Sequence, residues 1–336
     1  MKVMARLFLL ALLISGLYSC GNKDDDPDKT AGSDRLKETF GSGFGATDTL
    51  RDVAIDKNGS IYVTTKTKIY RLDQSGNATL FAGGDRSKVI DGKGTSAAFN
   101  TIDVIAFDEQ NNIYMLDSSC VRKVATDGTV TRIYATNPPF VLDGRGYKPF
   151  EPVRMYGISA VNGDIYVQNP GAIMKIHKDT DTLAVFAGKF ADYDITDGRG
   201  GNARFKQIGT LVTSPDFKSI YVGDVAGIRK VTLADSTVTT ITGGDKYGIA
   251  DGSLKDATFN NVGDLAIDAS GNIYVADVNR IRKISSGQVT TIAGPYKPDN
   301  TFLECGGIAI DKEGKFLYVV DMSKAGTIIK IDLSGI

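Results

Sequence analysis

Carboxylates are the chemistry most available to this sequence. Among 336 residues there are 40 Asp and Glu, three cysteines, a single histidine (His177) and no tryptophan. Asp52 and Asp264 stand in matching surroundings, Leu50-Arg51-Asp52-Val53-Ala54-Ile55-Asp56 and Val262-Gly263-Asp264-Leu265-Ala266-Ile267-Asp268. Two carboxylates brought to one axis could hold a calcium ion, which takes about six to eight oxygens, with help from backbone carbonyls and water. A lone histidine excludes a three-histidine zinc centre and a paired-histidine acid–base mechanism, leaving carboxylates for such work. A second group could bind: Arg145, Tyr147, Tyr193, Tyr247, Tyr296 and Lys297 lie in Gly-, Asp- and Pro-rich segments. Aromatic faces beside cationic donors stack on sugar rings or anchor a protein loop, though loops also carry exposed tyrosines with no such role.

What would position these residues is a repeat. A Tyr preceded by Ile or Leu and followed by Val or Met returns at Tyr62, Tyr114, Tyr166, Tyr221, Tyr274 and Tyr318, at intervals of 52, 52, 55, 53 and 44 residues. A period of about 50 residues marks a repeat architecture. The unit around Tyr274 reads as four strands: residues 262–268 alternate, Ala269-Ser270-Gly271-Asn272 supplies a turn, and residues 273–277, 280–284 and 288–293 follow. β-Branched and turn residues separate as strands require, and no sustained helical period occurs after residue 19. The expectation is an all-β, six-bladed β-propeller of four-stranded antiparallel blades, in which neighbours bury each blade's faces. The last unit has no fourth strand of its own, while residues 36–41 read like the fourth strands elsewhere. This N-terminal strand is therefore expected in the last blade, closing the ring and covering a sheet edge.

On this alignment Asp52 and Asp264 fall on the innermost strands, two blades apart, where Val104, Gly157, Thr210 and Gly307 stand in the other blades. Asp117, Asp224, Asp277 and Asp321 end second strands and are expected to bond backbone donors of the following turn. Arg71, Lys123, Lys175, Lys230, Lys283 and Lys330 share one third-strand position and read as stems packed on the sheet with charges reaching outward. His177 falls at a third-strand end and reads as solvated. Cys305 aligns with Leu50, Ile102, Met155, Ile208 and Val262 and reads as a small buried hydrophobe. Cys120 falls in a turn of blade two, with blade one standing between it and Cys305, so no disulfide is expected between them. Between blades, Asp91-Gly92, Asp197-Gly198 and Asp251-Gly252 precede Phe99, Phe205 and Phe259, with a looser copy from Asp143-Gly144 to Phe150. The Asp-Gly pair suits a tight turn and the Phe a place between blades.

The N-terminal region is of another kind. Lys2 and Arg6 precede an apolar run over residues 7–17, shorter than the roughly 20 residues a membrane span needs. Leu17-Tyr18-Ser19-Cys20 resembles a bacterial lipobox. That resemblance implies a lipoprotein signal peptide over residues 1–19, acylation of Cys20 into the lipid bilayer, a flexible tether over residues 20–35 and a propeller over residues 36–336. Lys23-Asp24-Asp25-Asp26 resembles the surface-export signal of Bacteroidetes lipoproteins, which implies a surface-exposed place on the outer membrane. Without residues 1–19 the formal charge moves from -1 to -3, which offers no footprint for nucleic acid.

Gly271-Asn272-Ile273-Tyr274-Val275-Ala276-Asp277 with Arg280-Ile281 resembles the central motif of NHL repeats. Related copies are Asn112-Ile113-Tyr114-Met115-Leu116-Asp117, Ile220-Tyr221-Val222-Gly223-Asp224 and Leu317-Tyr318-Val319-Val320-Asp321; Thr65 and Asn169 depart from it. The absence of tryptophan argues against WD40-type propellers. Anchor, scaffold and rim composition together lead to the expectation of a monomeric, non-catalytic scaffold that binds a glycan or an envelope protein through its rim loops. The competing class is a metal-dependent lactonase- or lyase-like enzyme working in the channel, with Asp52 and Asp264 toward a Ca²⁺ ion. Six-bladed lactonases add a Glu to such a site, and here no Glu falls on an inner strand.

Overall fold

The computed structural model describes residues 37–118, 120–135, 157–178, 183–294, 305–322 and 327–336. These form six antiparallel sheets, the blades of a six-bladed β-propeller. Blade one runs outward through Asp52–Ile55, Ile61–Thr64, Lys68–Leu72 and Ala78–Gly83. Blades two to five begin on the inner strands Ile102–Phe107, Ile158–Val161, Ile208–Thr213 and Val262–Ile267. Blade six takes Cys305–Ile310, Phe316–Asp321 and Thr327–Asp332 from the C-terminal part of the chain. Its outermost strand is Lys37–Phe40, paired Lys37↔Ile331 through Phe40↔Ile328. The ring closes as the sequence pattern predicts. Apart from two three-residue 3₁₀ turns, the described residues contain no helix, and none of their helices is long and apolar enough to cross a membrane.

Blades two, four and five carry a fifth strand that the sequence reading did not include. Gly92–Lys93, Gly198–Arg199 and Gly252–Ser253 pair along the outer strands of these blades. The glycine of each Asp-Gly pair thus opens an extended edge strand and not a tight turn, with the aspartate before it held by side-chain bonds described below. Phe99, Phe205 and Phe259 are fully buried, as expected of residues between blades.

Each blade buries its two faces against its neighbours. The seam of the ring gathers Phe40, Leu50, Val63, Tyr70, Val320 and Ile328 into one cluster, with the Phe40 ring 5.2 Å from that of Tyr318. The repeated tyrosines and cations meet across strands. Tyr62, Tyr114, Tyr166, Tyr221 and Tyr274 lie opposite Arg71, Lys123, Lys175, Lys230 and Lys283. The cations stand 5.5 to 5.9 Å from the ring centroids, so these charges fold back over aromatic faces and do not simply reach outward.

The hairpins joining first to second and third to fourth strands of each blade lie at one end of the ring, here the lower face. The turns between second and third strands, with the blade-to-blade connections, define the upper face. Truncating the seam tests the closure. Phe40→Ala should lower the urea unfolding free energy by about 3 kcal/mol or more, read as a shift in midpoint at constant slope, and deletion of residues 35–42 should lower the melting temperature further still.

Candidate functional site in the central channel

Inner strands bulge where they meet the channel. The ladder shifts register between Ile102 and Ile105, Ile208 and Thr210, Val262 and Asp264, and Cys305 and Ile308. An extra residue there re-aims the side chain: Thr210 and Asp264 follow such bulges, whereas Asp52 sits in an unbroken ladder opposite Thr64. Asp52 and Asp264 line both an upper bowl of about 890 Å³ and a lower cavity of about 360 Å³, so they stand at the waist between them.

Both carboxylates are tied to neighbouring blades. Asp52 accepts the Ile105 N–H of blade two at 2.9 Å and the Val53 N–H at 2.9 Å. Asp264 accepts the Ile308 N–H of blade six at 2.8 Å and the Thr210 hydroxyl of blade four at 2.8 Å. A Cβ on Gly307 would lie 1.9 Å from Asp52 Oδ1, so glycine at this place makes the room the carboxylate occupies. Two carboxylates, each oxygen already accepting one bond, fall short of the six to eight or so oxygens of a calcium site. Among the described residues no three His, Cys, Asp or Glu side chains form a group that could hold a metal ion. The pair does not by itself fit the Ca²⁺ ion that the sequence suggested.

Burial raises the proton affinity of both groups. Desolvation pushes Asp264 up to about 6 against the bonds it accepts. Asp52 is raised well above the ordinary carboxylate range, first by burial and then by the charge of Asp264.

The upper bowl is asymmetric. At the lip just above the waist, blades one and two present Arg51 and Asp103, while blades four, five and six present Gly209, Gly263 and Gly306. Arg51 donates to Asp103 and to the Ile102 carbonyl. Behind it, Lys68 Nζ lies 2.9 Å from Asp48 and 2.7 Å from Asp85, and the Tyr70 hydroxyl donates to Asp48 at 2.5 Å. Asp85 is 89% exposed. Tyr193 and Tyr247 are 57% and 56% exposed, and Lys206 Nζ stands 5.7 Å over the Tyr247 ring. Arg145, Tyr147, Tyr296 and Lys297 lie outside the described residues, as does Cys20.

Other sequence readings resolve as follows. Cys305 is half-buried and lines the bowl; the glycine lip beside it leaves it more open than its apolar counterparts, and burial pushes its thiol up to about 12. Cys120 is buried, and both thiols are free. The His177 side chain is 44% exposed, with Nδ1 3.9 Å from Asp164.

The sequence reading missed three arginines. Arg122, Arg229 and Arg282 are among the largest fully buried side chains. Arg122 donates to Asp117 at 2.8 Å, to Asp91 at 2.9 Å and to the carbonyls of Ile90 and Ala98, with its guanidinium 5.3 Å over Phe99. Arg229 repeats this with Asp224, Asp197 and Phe205, and Arg282 with Asp277, Asp251 and Phe259. The second-strand aspartates also accept N–H bonds from Asn100 and Thr101, from Lys206 and Gln207, and from Asn260 and Asn261. Those donors precede the blade, where the chain enters its inner strand, and are not in the following turn. Asp91, Asp197 and Asp251 reach the outer strand through the N–H of Arg132, Thr240 and Thr291. One arginine thus fastens the connection, the second strand and, through these aspartates, the outer strand.

A further irregularity sits on the lower face. In five blades the first hairpin closes with an i→i+3 bond onto Gly59, Asn111, Phe217, Gly271 or Gly314. All five have positive φ, and Phe217 has φ 55°. Glycine and asparagine suit that backbone; a phenylalanine there costs about 1–2 kcal/mol. Phe217 lines the lower cavity. Aligning the hairpins on their bonded turn would have exposed it in the sequence.

No protein-family profile matches the chain. It is 23% identical over 323 residues to NHL repeat-containing protein 2 of Gallus gallus, covering 80% of this chain and 44% of that protein. It is 23% identical over 221 residues to teneurin-3 of Danio rerio, covering 57% of this chain and 8% of that protein. The chain therefore spans less than half the length of either relative. Among solved structures, an auxiliary nutrient binding protein from Bacteroides ovatus superposes with a TM-score of 0.61 at 13% identity, covering 90% of this chain and 77% of that one. A virginiamycin B lyase from Staphylococcus aureus gives 0.55 at 12%, covering 89% and 99%. A gluconolactonase from Xanthomonas campestris gives 0.55 at 9%, covering 85% and 86%. The structural likenesses show the fold alone. Together with the relative's repeats they support an NHL-type β-propeller.

Two measurements check this site. Folded Asp264 keeps its proton up to about pH 6, while the unfolded carboxyl releases it near 3.8. The folded state therefore holds more protons across that window, and stability should fall as pH rises from 4 to 6. Asp264→Asn should flatten this slope and match or exceed the parent's stability at pH 7.5 by up to about 3 kcal/mol. Arg229→Met strands a buried carboxylate and should cost about 3–5 kcal/mol in urea unfolding. Adding Asp224→Asn should recover part of that loss, since blade three carries Met174 and Asn169 at these places.

Proposed function

We propose that this protein is a monomeric, non-catalytic propeller, anchored by acylated Cys20 in the outer membrane and displayed at the cell surface. On this reading it binds a glycan or an envelope protein through its upper face. The carrying observation is the upper face, which combines a polar bowl with a glycine lip and, in the blade-to-blade connections, the exposed Tyr193 and Tyr247. Backbone exposed at Gly263, with no side chain nearer than ordinary contact, gives a ligand close approach to the main chain. The Arg51–Asp103 pair offers donor and acceptor together, as hydroxyl groups require. The likeness to auxiliary nutrient binding proteins of Bacteroides supports binding, and the acidic lining (Asp48, Asp85, Asp103) favours a neutral ligand over an anionic one. A lactonase- or lyase-like reading shares the fold, but the waist carboxylates are engaged in fastening blades.

Replacing Tyr147, Tyr193, Tyr247 and Tyr296 together by Ala should abolish retention on a glycan array and in pull-downs of envelope protein, with the unfolding midpoint little changed. Cys20→Ala should move the protein out of the membrane fraction. Undiminished binding by the quadruple variant would remove the upper-face reading.

A further inference from the structure

The lower half of the channel brings groups that also fasten the blades into a lining that upper-face binding does not use. Its wall is largely apolar, with Val53, Ile55, Leu211, Leu265 and Ile308 around the cavity of about 360 Å³. Its inner end carries Asp52, Asp264 and Thr210. The second-strand carboxylates of blades two, four and five each have a cation: Asp117 with Arg122, Asp224 with Arg229, Asp277 with Arg282. Among the described residues Asp52 and Asp264 have none; their contacts are N–H and O–H bonds. A carboxylate offers about four lone-pair sites, so acceptor capacity remains on both. The cations near the lower mouth are turned elsewhere, Lys57 to the Glu109 carbonyl and Lys312 to Glu313.

Phe217 supplies a separate observation. Four equivalent turns use glycine or asparagine at the left-handed position, and blade four places a phenylalanine there, beside this cavity. Its ring packs on the buried cluster that includes Leu211 and Ile220 and at the same time gives this cavity an aromatic wall.

The geometry points to a binding site for a primary amine carried on a small apolar body. The body fills the lower cavity against Phe217, and the ammonium donates toward Asp52, Asp264 and the Thr210 hydroxyl oxygen. An ammonium has three donors and no acceptor, which matches those three groups, and its charge complements a carboxylate pair, Asp52 buried and Asp264 half-buried, that otherwise lacks a counter-ion. An alcohol of the same shape gains the apolar contact without the charge, and an anion is repelled. The site opens opposite the upper bowl, so it stands independently of the upper-face reading.

The test is calorimetric titration of the full chain at pH 7.5 with 2-phenylethylamine and with 2-phenylethanol. The amine should bind at least about 10-fold more tightly than the alcohol, and Asp264→Asn should bring it to within about 3-fold. Asp52→Asn serves the same purpose should Asp264→Asn not fold. Phe217→Asn, which keeps the turn, should weaken both probes by roughly 5-fold or more, with the chain still unfolding in one cooperative transition well above the assay temperature. Equal affinity for the two probes, no binding of either at millimolar concentration, or affinities untouched by Phe217→Asn would overturn the proposal.

Discussion

A single antiparallel ladder between strands almost a whole chain apart holds this molecule together. A blade has two apolar faces and can bury neither alone, so a row of six blades is stable only when its ends meet. Lys330 bonds Glu38 across 292 residues of sequence, and closing such a loop costs about 5 kcal/mol of chain entropy by the logarithmic rule. What offsets it is local: four backbone pairs and the burial of Phe40, at 6% exposure, against Tyr318 and Ile328. Both faces of the seam are buried only when the N-terminal strand is in place, which makes Lys37–Phe40 as structural as any core strand.

Within the ring, charge does work that apolar packing does elsewhere. A buried guanidinium is costly to desolvate, and such pairs often add little net stability. What they add here is register. Arg122, Arg229 and Arg282 each join aspartates from two segments and cap a phenylalanine, so connection and sheet meet in one arrangement. Blades one, three and six carry Tyr70, Met174 and Ile329 at that position and hold their third strands by apolar packing. The channel carboxylates belong to the same logic, since Asp52 and Asp264 fasten adjoining inner strands through backbone N–H groups.

Blade number, strand order and ring closure were legible because they rest on period-two alternation and on one tyrosine motif, both local in sequence. The arginine fastenings were not, because a charged residue between apolar neighbours on a strand reads as solvent-facing. Arg122 and Asp91, 31 residues apart, meet only once the connection has folded along the outer strand. The same distance explains why Asp91-Gly92 reads as a turn: glycine's local freedom is visible, and the remote arginine that holds the aspartate is not. At the site, the inner-strand aspartates could be found by alignment, but their bonds to Ile105 and Ile308 depend on bulges that sequence does not announce. The rim tyrosines were found from loop composition, and Tyr193 and Tyr247 are exposed as that implied.

The two ends of the channel illustrate how repetition and departure divide labour. Groups that recur in five or six blades, such as the tyrosine–cation pairs, solve a problem every blade shares. The departures gather on the axis. Arg51 and Asp103 face Gly209, Gly263 and Gly306 across the upper mouth, and Phe217 takes a glycine's place at the lower one. A ring of near-identical blades would give a channel of uniform lining, with no reason for a ligand to prefer one orientation. Replacing side chains by glycine on three consecutive blades, and a turn glycine by phenylalanine on one, breaks that symmetry above and below a waist that carries charge. Polarity is thereby sorted along the axis: hydrogen-bonding groups above, carboxylates at the centre, an apolar wall beneath. A molecule that enters from either end meets a different chemistry, and the blades that supply it need only preserve their backbone.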